Sequence, residues 1–410
     1  MSRHLAIVAA LTVAATAMAL AGAASSGNTT FPGKNGRVVI QATDRGGSDY
    51  SASNLLIFNI DAYGYFVQLT RGNAFDANPA WSADGKTIAF DSNRGTSEPT
   101  DHDLFLIKPD GSGLRRLTSG KTSDMAPTWS PDGTKLAFFS DRSGNDDIWV
   151  VNADGTGLTQ LTTDKRVDWD PAWSPDGTQI AFGSYRNGNE DIWVMNADGS
   201  NQHALTTSPE RDRHAAWSPD GKTIAFDSQR PGSSEFDIYS MKADGSGIRR
   251  LTNTGLMNSR PTYSPDGRWI MFQAENAGTN NRYLYIMRPD GTGLTQFSEG
   301  GQWATSPDWQ AVSKPDACQT TGTIFADEIT MFDKDDTICG LAGNDVIKGG
   351  AGNDVIDGGP GNDTIYGQAG NDRITGGPGA DTIVCGPGHD TVIADSQDHV
   401  AKDCEVITRS

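Results

Sequence analysis

This sequence predicts an all-β chain of two repeat architectures, a six-bladed β-propeller followed by a C-terminal parallel β-roll. Three observations carry the expectation. An aromatic residue recurs at Trp81, Trp129, Trp173, Trp217, Tyr263 and Trp309, at spacings of 44 to 48 residues, a period that belongs to propellers and arrays. An aspartate then recurs every nine residues at Asp327, Asp336, Asp345, Asp354, Asp363, Asp372, Asp381 and Asp390, each followed two positions on by Ile or Val. The length of 410 residues also exceeds what one core ordinarily fills, so two folded units are expected.

Residues 1–24 place Arg3 and His4 before an Ala/Val/Leu run from Leu5 to Leu20, and two A-x-A options follow at Ala19–Ala21 and Ala21–Ala23. That order of basic, apolar and small residues predicts a secretory signal peptide and a soluble protein outside the cytoplasm. A retained anchor fits less well, because the run is Ala-rich and leads into a small-residue site.

The propeller is expected over 31–311. Its unit is clearest at Pro171-Ala-Trp-Ser-Pro-Asp-Gly-Thr-Gln-Ile-Ala-Phe, then Asp191-Ile-Trp-Val-Met-Asn-Ala-Asp-Gly, then Leu205-Thr206. It reads as four short strands, with Trp-Ser opening the first and Asp-Gly turns after the first and third. The first copy lacks an inner strand, since it begins at Gly36-Arg-Val-Val-Ile. Ser306-Pro-Asp-Trp-Gln310 supplies that strand at the far end, so the ring closes by pairing the two ends of the repeat region and leaves no free sheet edge.

These motifs resemble the WD-repeat-like propeller of the TolB periplasmic family over about two thirds of the chain. The resemblance is specific for fold and not for function, since such propellers serve as protein-binding modules and as accessory domains of enzymes. The sequence contains no G-x-S-x-G elbow. No catalytic residue is assigned.

Within each blade, Arg94, Arg142, Arg186 and Arg230 end the second strand, and Asp103, Asp147, Asp191 and Asp237 open the third. Asn276 and Tyr283 replace both together in the sixth copy, as expected if each pair bridges its own turn. The repeated Trp is read as core. Three residues before the Pro position stand Asp76, Asp124, Asp168, Asp212, Asn258 and Ala304. They are expected to cap their loops or to form a partial carboxylate ring at the channel. Trp169, Arg166, Arg211, Arg213, His214, Arg260 and Trp303 lie on the variable loops, the expected binding surface for a protein or glycan. His214 has no second histidine at zinc-ligand spacing.

After a polar linker at 312–323, the roll is expected over 324–410. Its central copies read Gly349-Gly-Ala-Gly-Asn-Asp-Val-Ile-Asp357 and Gly358-Gly-Pro-Gly-Asn-Asp-Thr-Ile-Tyr366, the nonapeptide G-G-x-G-x-D-x-U-x. Ca²⁺ needs six or more oxygens. A Gly-rich turn can aim backbone carbonyls inward while Asp adds a carboxylate. Two nonapeptides make one coil, so Asp345, Asp363 and Asp381 share one edge and Asp354, Asp372 and Asp390 the other. The metal set is Asp336, Gly343, Asp345, Gly350, Gly352, Asp354, Gly359, Gly361, Asp363, Gly370, Asp372, Gly377, Gly379, Asp381, Gly388 and Asp390. It would hold several calcium ions. The turn before Asp336 lacks glycines and is expected to be an incomplete site. Ala380 and His389 replace Asn in the last two copies.

Residues 336–393 resemble the RTX or hemolysin-type calcium-binding repeats. Residues 313–410 carry 17 acidic and 6 basic side chains, a repulsion that a thin aliphatic core is expected to bear only with cations bound. RTX exoproteins of the toxin type use a C-terminal export signal. The N-terminal signal expected here points to the general secretory route, without pore formation. Cys318–Cys339 and Cys385–Cys404 are expected to staple the two ends of the roll, one of the three connectivities four cysteines allow. They also place the protein in an oxidising compartment.

The net charge of −19 and pI of 4.6 argue against nucleic acid, and no long apolar segment after the leader would insert in a membrane. The expected function is that of a secreted, non-enzymatic calcium-binding protein with a propeller interaction module. The alternatives are an extracellular polysaccharide lyase or hydrolase working on the propeller's variable face, and an adhesion component that self-associates through calcium.

Overall fold

The computed structural model describes residues 35–43, 53–58, 66–96, 98, 100–229, 235–276, 281–297, 303–311, 320–322, 326–331, 334–341 and 343–409. The expected signal peptide at 1–24 lies outside them. Every regular element described is a strand.

Six four-stranded antiparallel sheets form the propeller. Five are continuous in sequence, and the third is typical, with strands Asp168–Trp173, Gln179–Ser184, Asp191–Asn196 and His203–Ala204. The sixth joins Trp303–Ala311 to Asn35–Thr43, Ser53–Phe58 and Phe66–Gln68. Val38 pairs with Trp309 and Thr43 with Trp303, so the ring closes as the sequence predicts. The Trp position ends the inner strand and does not open it: Trp173 pairs with Ile180, and Ser174 starts the turn. There Ser174 Oγ donates to Asp176 Oδ1 at 2.6 Å, and Gly177 N to Ser174 O at 2.9 Å.

Blades pack face to face through fully buried Phe90, Phe138, Phe182, Phe226 and Phe272, one from each Ile-Ala-Phe or its counterpart. A buried aromatic of this size contributes about 2–3 kcal/mol by transfer from water. The closing Leu-Thr acts as a clamp, with Thr118, Thr162, Thr206 and Thr252 Oγ1 each accepting from the third strand's backbone N–H at 2.8–3.0 Å. Outer strands of two residues leave little edge for foreign pairing.

The C-terminal region is a parallel roll of two sheets. One stacks Glu328–Thr330, Val346–Ala351, Thr364–Ala369, Thr382–Val384 and His399–Val400. The other stacks Thr320–Thr321, Thr337–Cys339, Val355–Asp357, Arg373–Thr375, Thr391–Ala394 and Val406–Arg409. Neighbours such as Val346 and Thr364 are 18 residues apart, which is two nonapeptides per coil. Thr320–Thr321 pairs with Ile338–Cys339, so the roll starts inside the stretch expected to be linker. Ile329, Ile338, Ile347, Ile356, Ile365, Ile374, Ile383 and Val392 fill its core. Cys385 is bonded to Cys404 across a Cα separation of 5.3 Å. Cys339 is disulfide-bonded, and its expected partner Cys318 lies outside the described residues.

Candidate functional site

Along each edge of the roll, the repeat builds a row of carboxylates. The backbone N–H of one aspartate donates to Oδ1 of the aspartate one coil on: Asp345 to Asp363 at 2.9 Å, Asp363 to Asp381 at 2.8 Å, Asp354 to Asp372 at 2.9 Å and Asp372 to Asp390 at 2.8 Å. Asn side chains run a parallel row, Asn362 N to Asn344 Oδ1 and Asn371 N to Asn353 Oδ1, both at 2.9 Å. Ala380 and His389 end it by donating their N–H to Asn362 and Asn371.

The second oxygen, Oδ2, of Asp345, Asp354, Asp363, Asp372, Asp381 and Asp390 is buried without a hydrogen-bond partner. These side chains belong to residues no more than 2% exposed. An unpaired buried carboxylate oxygen is costly, so burial pushes Asp345 and Asp354 up to about 7 and Asp336 and Asp381 to about 6. Asp363, Asp372 and Asp390 are raised for the same reason.

Glycine is required where coils stack. Gly361 has φ of 153°, and a Cβ there would collide with the Gly343 carbonyl. Gly340 and Gly349 pass beside Asp345 Oδ2 and Asp354 Oδ2, close to the carbonyls of Gly358 and Gly367. Among the described residues no three His, Cys, Asp or Glu side chains gather into a metal cluster. What these places offer instead is an orphaned carboxylate oxygen beside a glycine carbonyl of the next coil, hard oxygens of the kind that calcium takes. Of the predicted set, Gly350, Gly352, Gly359, Gly370, Gly377 and Gly379 share the left-handed φ of Gly343 and Gly361. Gly388 stacks on the Gly370 carbonyl. Leu341 and Gln368 also have positive φ, 70° and 73°, without being glycine.

In the propeller, two expectations are overturned. Arg94, Arg142 and Arg186 reach back to the inner-strand aspartates Asp76, Asp124 and Asp168, not to Asp103, Asp147 and Asp191. Those three take other partners: Asp103 pairs with Arg116, Asp147 accepts from Ser143 and Gln160, and Asp191 accepts from Asn187 at 3.0 Å. Asp237 pairs with Arg250, and Arg230 lies outside the described residues. Asp76, Asp124, Asp168, Asp212 and Asn258 are no more than 2% exposed and form no channel ring. Asp212 and Asn258 do tie down their own loops, Asp212 Oδ2 accepting from Ser208 Oγ at 3.3 Å and Asn258 Nδ2 donating to Leu256 O at 3.2 Å. Burial pushes Asp212 up to about 6.

The channel ring sits one residue before the Pro position. Asn78, Ala126, Asp170, His214, Arg260 and Ser306 each adopt left-handed φ between 46° and 55°. The pairing of the inner strand skips at that point in each blade, and the bulge changes which residue faces the axis. The six line an axial cavity of 350 Å³. His214 Nδ1 lies 2.6 Å from Asp227 Oδ1, and its Nε2 lies 3.3 Å from Asp170 Oδ2. Burial raises the Asp227 carboxyl, but the His214 and Arg213 charges outweigh it and hold the group low. Arg260 donates its backbone N–H to Asp227 Oδ1 at 3.1 Å and its Nη1 to Asn78 Oδ1 at 3.3 Å, and its guanidinium has no carboxylate partner among the described residues.

Arg211 pairs with the buried Glu190 at 2.9 Å, and Trp169 Nε1 donates to the same carboxylate at 2.5 Å. Burial raises Glu190. Arg166 is exposed beside Asp164, and the Trp303 side chain lies outside the described residues.

A closed six-bladed propeller joined to a parallel roll edged by buried aspartates defines an all-β, two-architecture protein with calcium-binding repeats. Residues 164–311 match the family described as the TolB beta propeller domain. Residues 332–365 and 357–392 match the RTX calcium-binding nonapeptide repeat. The chain thus joins a TolB-type propeller to RTX repeats.

TolB from Acinetobacter baumannii superposes with a TM-score of 0.59 at 23% identity, over 67% of this chain and 66% of that one. The putative TolB from Agrobacterium tumefaciens gives 0.54 at 21%, over 69% of this chain and all of that one. Hydrazine synthase from Kuenenia stuttgartiensis gives 0.56 at 15%, over 69% of this chain and 48% of that one. Identities this low establish the fold alone. No curated protein matches the sequence. Among the described residues, no helix is long and apolar enough to cross a membrane.

Proposed function

We propose that this is a secreted, non-enzymatic calcium-binding protein. Calcium folds the roll, and the propeller binds a protein or glycan at the mouth of its axial cavity. The six orphaned aspartate oxygens carry the calcium reading, because a buried anionic row with no counter-charge is expensive until a cation meets it. Asp336, Asp345, Asp354, Asp363, Asp372, Asp381 and Asp390 supply carboxylates, and the glycines of the preceding turns supply carbonyls. Extracellular modules of this kind fill at about 10⁻⁴–10⁻³ M calcium. The roll therefore stays unfolded at cytoplasmic calcium and folds outside the cell.

For the propeller, the supporting observation is the ring itself. Its scaffold positions repeat from blade to blade, while its axial positions are Asn, Ala, Asp, His, Arg and Ser. Variation on a rigid frame is where recognition is built. Both ring nitrogens of His214 are engaged by carboxylates, Nδ1 by Asp227 and Nε2 by Asp170, which leaves neither free to take a substrate proton and favours binding over a lyase or hydrolase.

Calorimetric calcium titration of the full oxidised chain, with far-UV dichroism in parallel, tests the calcium reading. Several ions taken up with a gain of β signal are expected, and no uptake at millimolar calcium would overturn it.

A further inference from the structure

The aspartate rows do not stop with the last nonapeptide. Asp381 N donates to Asp398 Oδ1 at 3.0 Å, 17 residues on, and Asp390 N donates to Glu405 Oε2 at 2.7 Å, 15 residues on. Both acceptors lie beyond residue 392, where the repeat match ends. They reach these places because His399–Val400 extends one sheet beside Thr382–Ile383, and Val406–Arg409 extends the other beside Thr391–Ala394. The Cys385–Cys404 bond fixes the residue next to Glu405.

One end of this last coil differs from the coils before it. At Gly340 and Gly358, the space beside the aspartate Oδ2 is closed by the glycine carbonyl of the next coil, Gly358 O and Gly376 O. At Gly376 a second carboxylate stands there instead. A Cβ on Gly376 would fall 2.5 Å from Asp381 Oδ2 and 3.3 Å from Asp398 Oδ2. Asp381 is 1% exposed and its Oδ2 has no hydrogen-bond partner. Asp398 is 8% exposed, and its Oδ2 accepts only from Asp395 N, at 2.6 Å. Neither carboxylate has a Lys, Arg or His partner among the described residues.

We propose that Asp381 and Asp398 together hold a calcium ion at the C-terminal end of this edge. Asp381 belongs to the nonapeptide pattern but Asp398 does not, and the Asp398 carboxylate stands in for the glycine carbonyl that closes this space in the earlier coils. Two anionic oxygens on one buried space repel each other until a cation lies between them, and hard carboxylate oxygens select calcium. The site presupposes calcium binding by the roll.

The test is calorimetric counting of calcium on the full chain, comparing wild type with D398N and D398K. Asn keeps an acceptor for the Asp381 N–H but removes the second negative charge, so D398N should bind one ion fewer per chain. Lys puts an ammonium where the ion would sit, so D398K should also bind one fewer and keep its calcium-induced β signal. An unchanged count in D398N overturns the site and leaves Asp398 a hydrogen-bond cap. If D398N fails to order, a D398K chain that orders with one ion fewer upholds the site, and one no better than D398N overturns it. A wild-type chain that takes up no calcium sinks the calcium reading of the whole roll, a result distinct from failure of this one position.

Discussion

Asp345 and Asp354 set the pH behaviour of the roll. Burial raises both to about 7, against an ordinary aspartate near 3.9. A carboxyl that binds its proton more tightly when folded stabilises the fold below its unfolded value and loses that contribution as pH rises through the folded one. Without metal, the roll should therefore be more ordered at pH 5 than at pH 8. Calcium needs the carboxylates ionised, so its midpoint should climb by about an order of magnitude from pH 8 to pH 5.5. Dichroism-monitored titrations at both pH values measure each effect, and a midpoint that does not move would mean the row is already ionised without metal. The nine-residue period made these aspartates visible in the sequence. Asp398 and Glu405 were not, because spacings of 17 and 15 break the period and only strand pairing brings them into the row.

At the level of the blade, the strand order and the closing strand could be read from the sequence because they follow from pattern and turn chemistry. The partners of the arginines could not. The second strand lies between the first and the third, so an arginine at its end can reach an aspartate on either side, and spacing alone does not choose. The channel ring was hidden by parity: the left-handed residue at Asp170 and its counterparts puts a bulge into each inner strand, so counting from the proline picked the buried aspartate and not the axial residue. Arg142 and Asp124 show what the true pairing is worth. Asp124 is fully buried while the Arg142 side chain is 17% exposed, so removing the arginine should cost less than the roughly 3–5 kcal/mol of a fully buried pair, though it still strands a buried carboxylate. R142A should therefore lower the propeller's melting temperature by several degrees, while D147N, at the partner expected from sequence, should cost less. Calorimetric melting of the two variants decides between them, and the reverse order would restore the pairing across the turn.

The whole molecule is tied together by a contact that no repeat predicts. Arg71, just after the outer strand of the closing blade, donates through Nη2 to Ala326 O at 3.1 Å and to Asp327 Oδ1 at 3.2 Å. Asp327 heads the carboxylate row, since its N–H donates to Asp345 Oδ1 at 2.8 Å, and the Arg71 charge also acts on Asp345. The propeller thus lends a fixed cation to the start of the edge that calcium continues. An ion pair with one partner about a third exposed is worth about 0.5–1 kcal/mol, or a two- to fivefold change in an equilibrium. In the full chain, R71A should raise the calcium midpoint of the roll by that factor and leave propeller melting in place. R71K, which keeps the charge without the fixed planar geometry of the guanidinium, should fall between. A midpoint identical in all three chains would mean that the roll folds without help from the propeller, and that Arg71 merely rests against it.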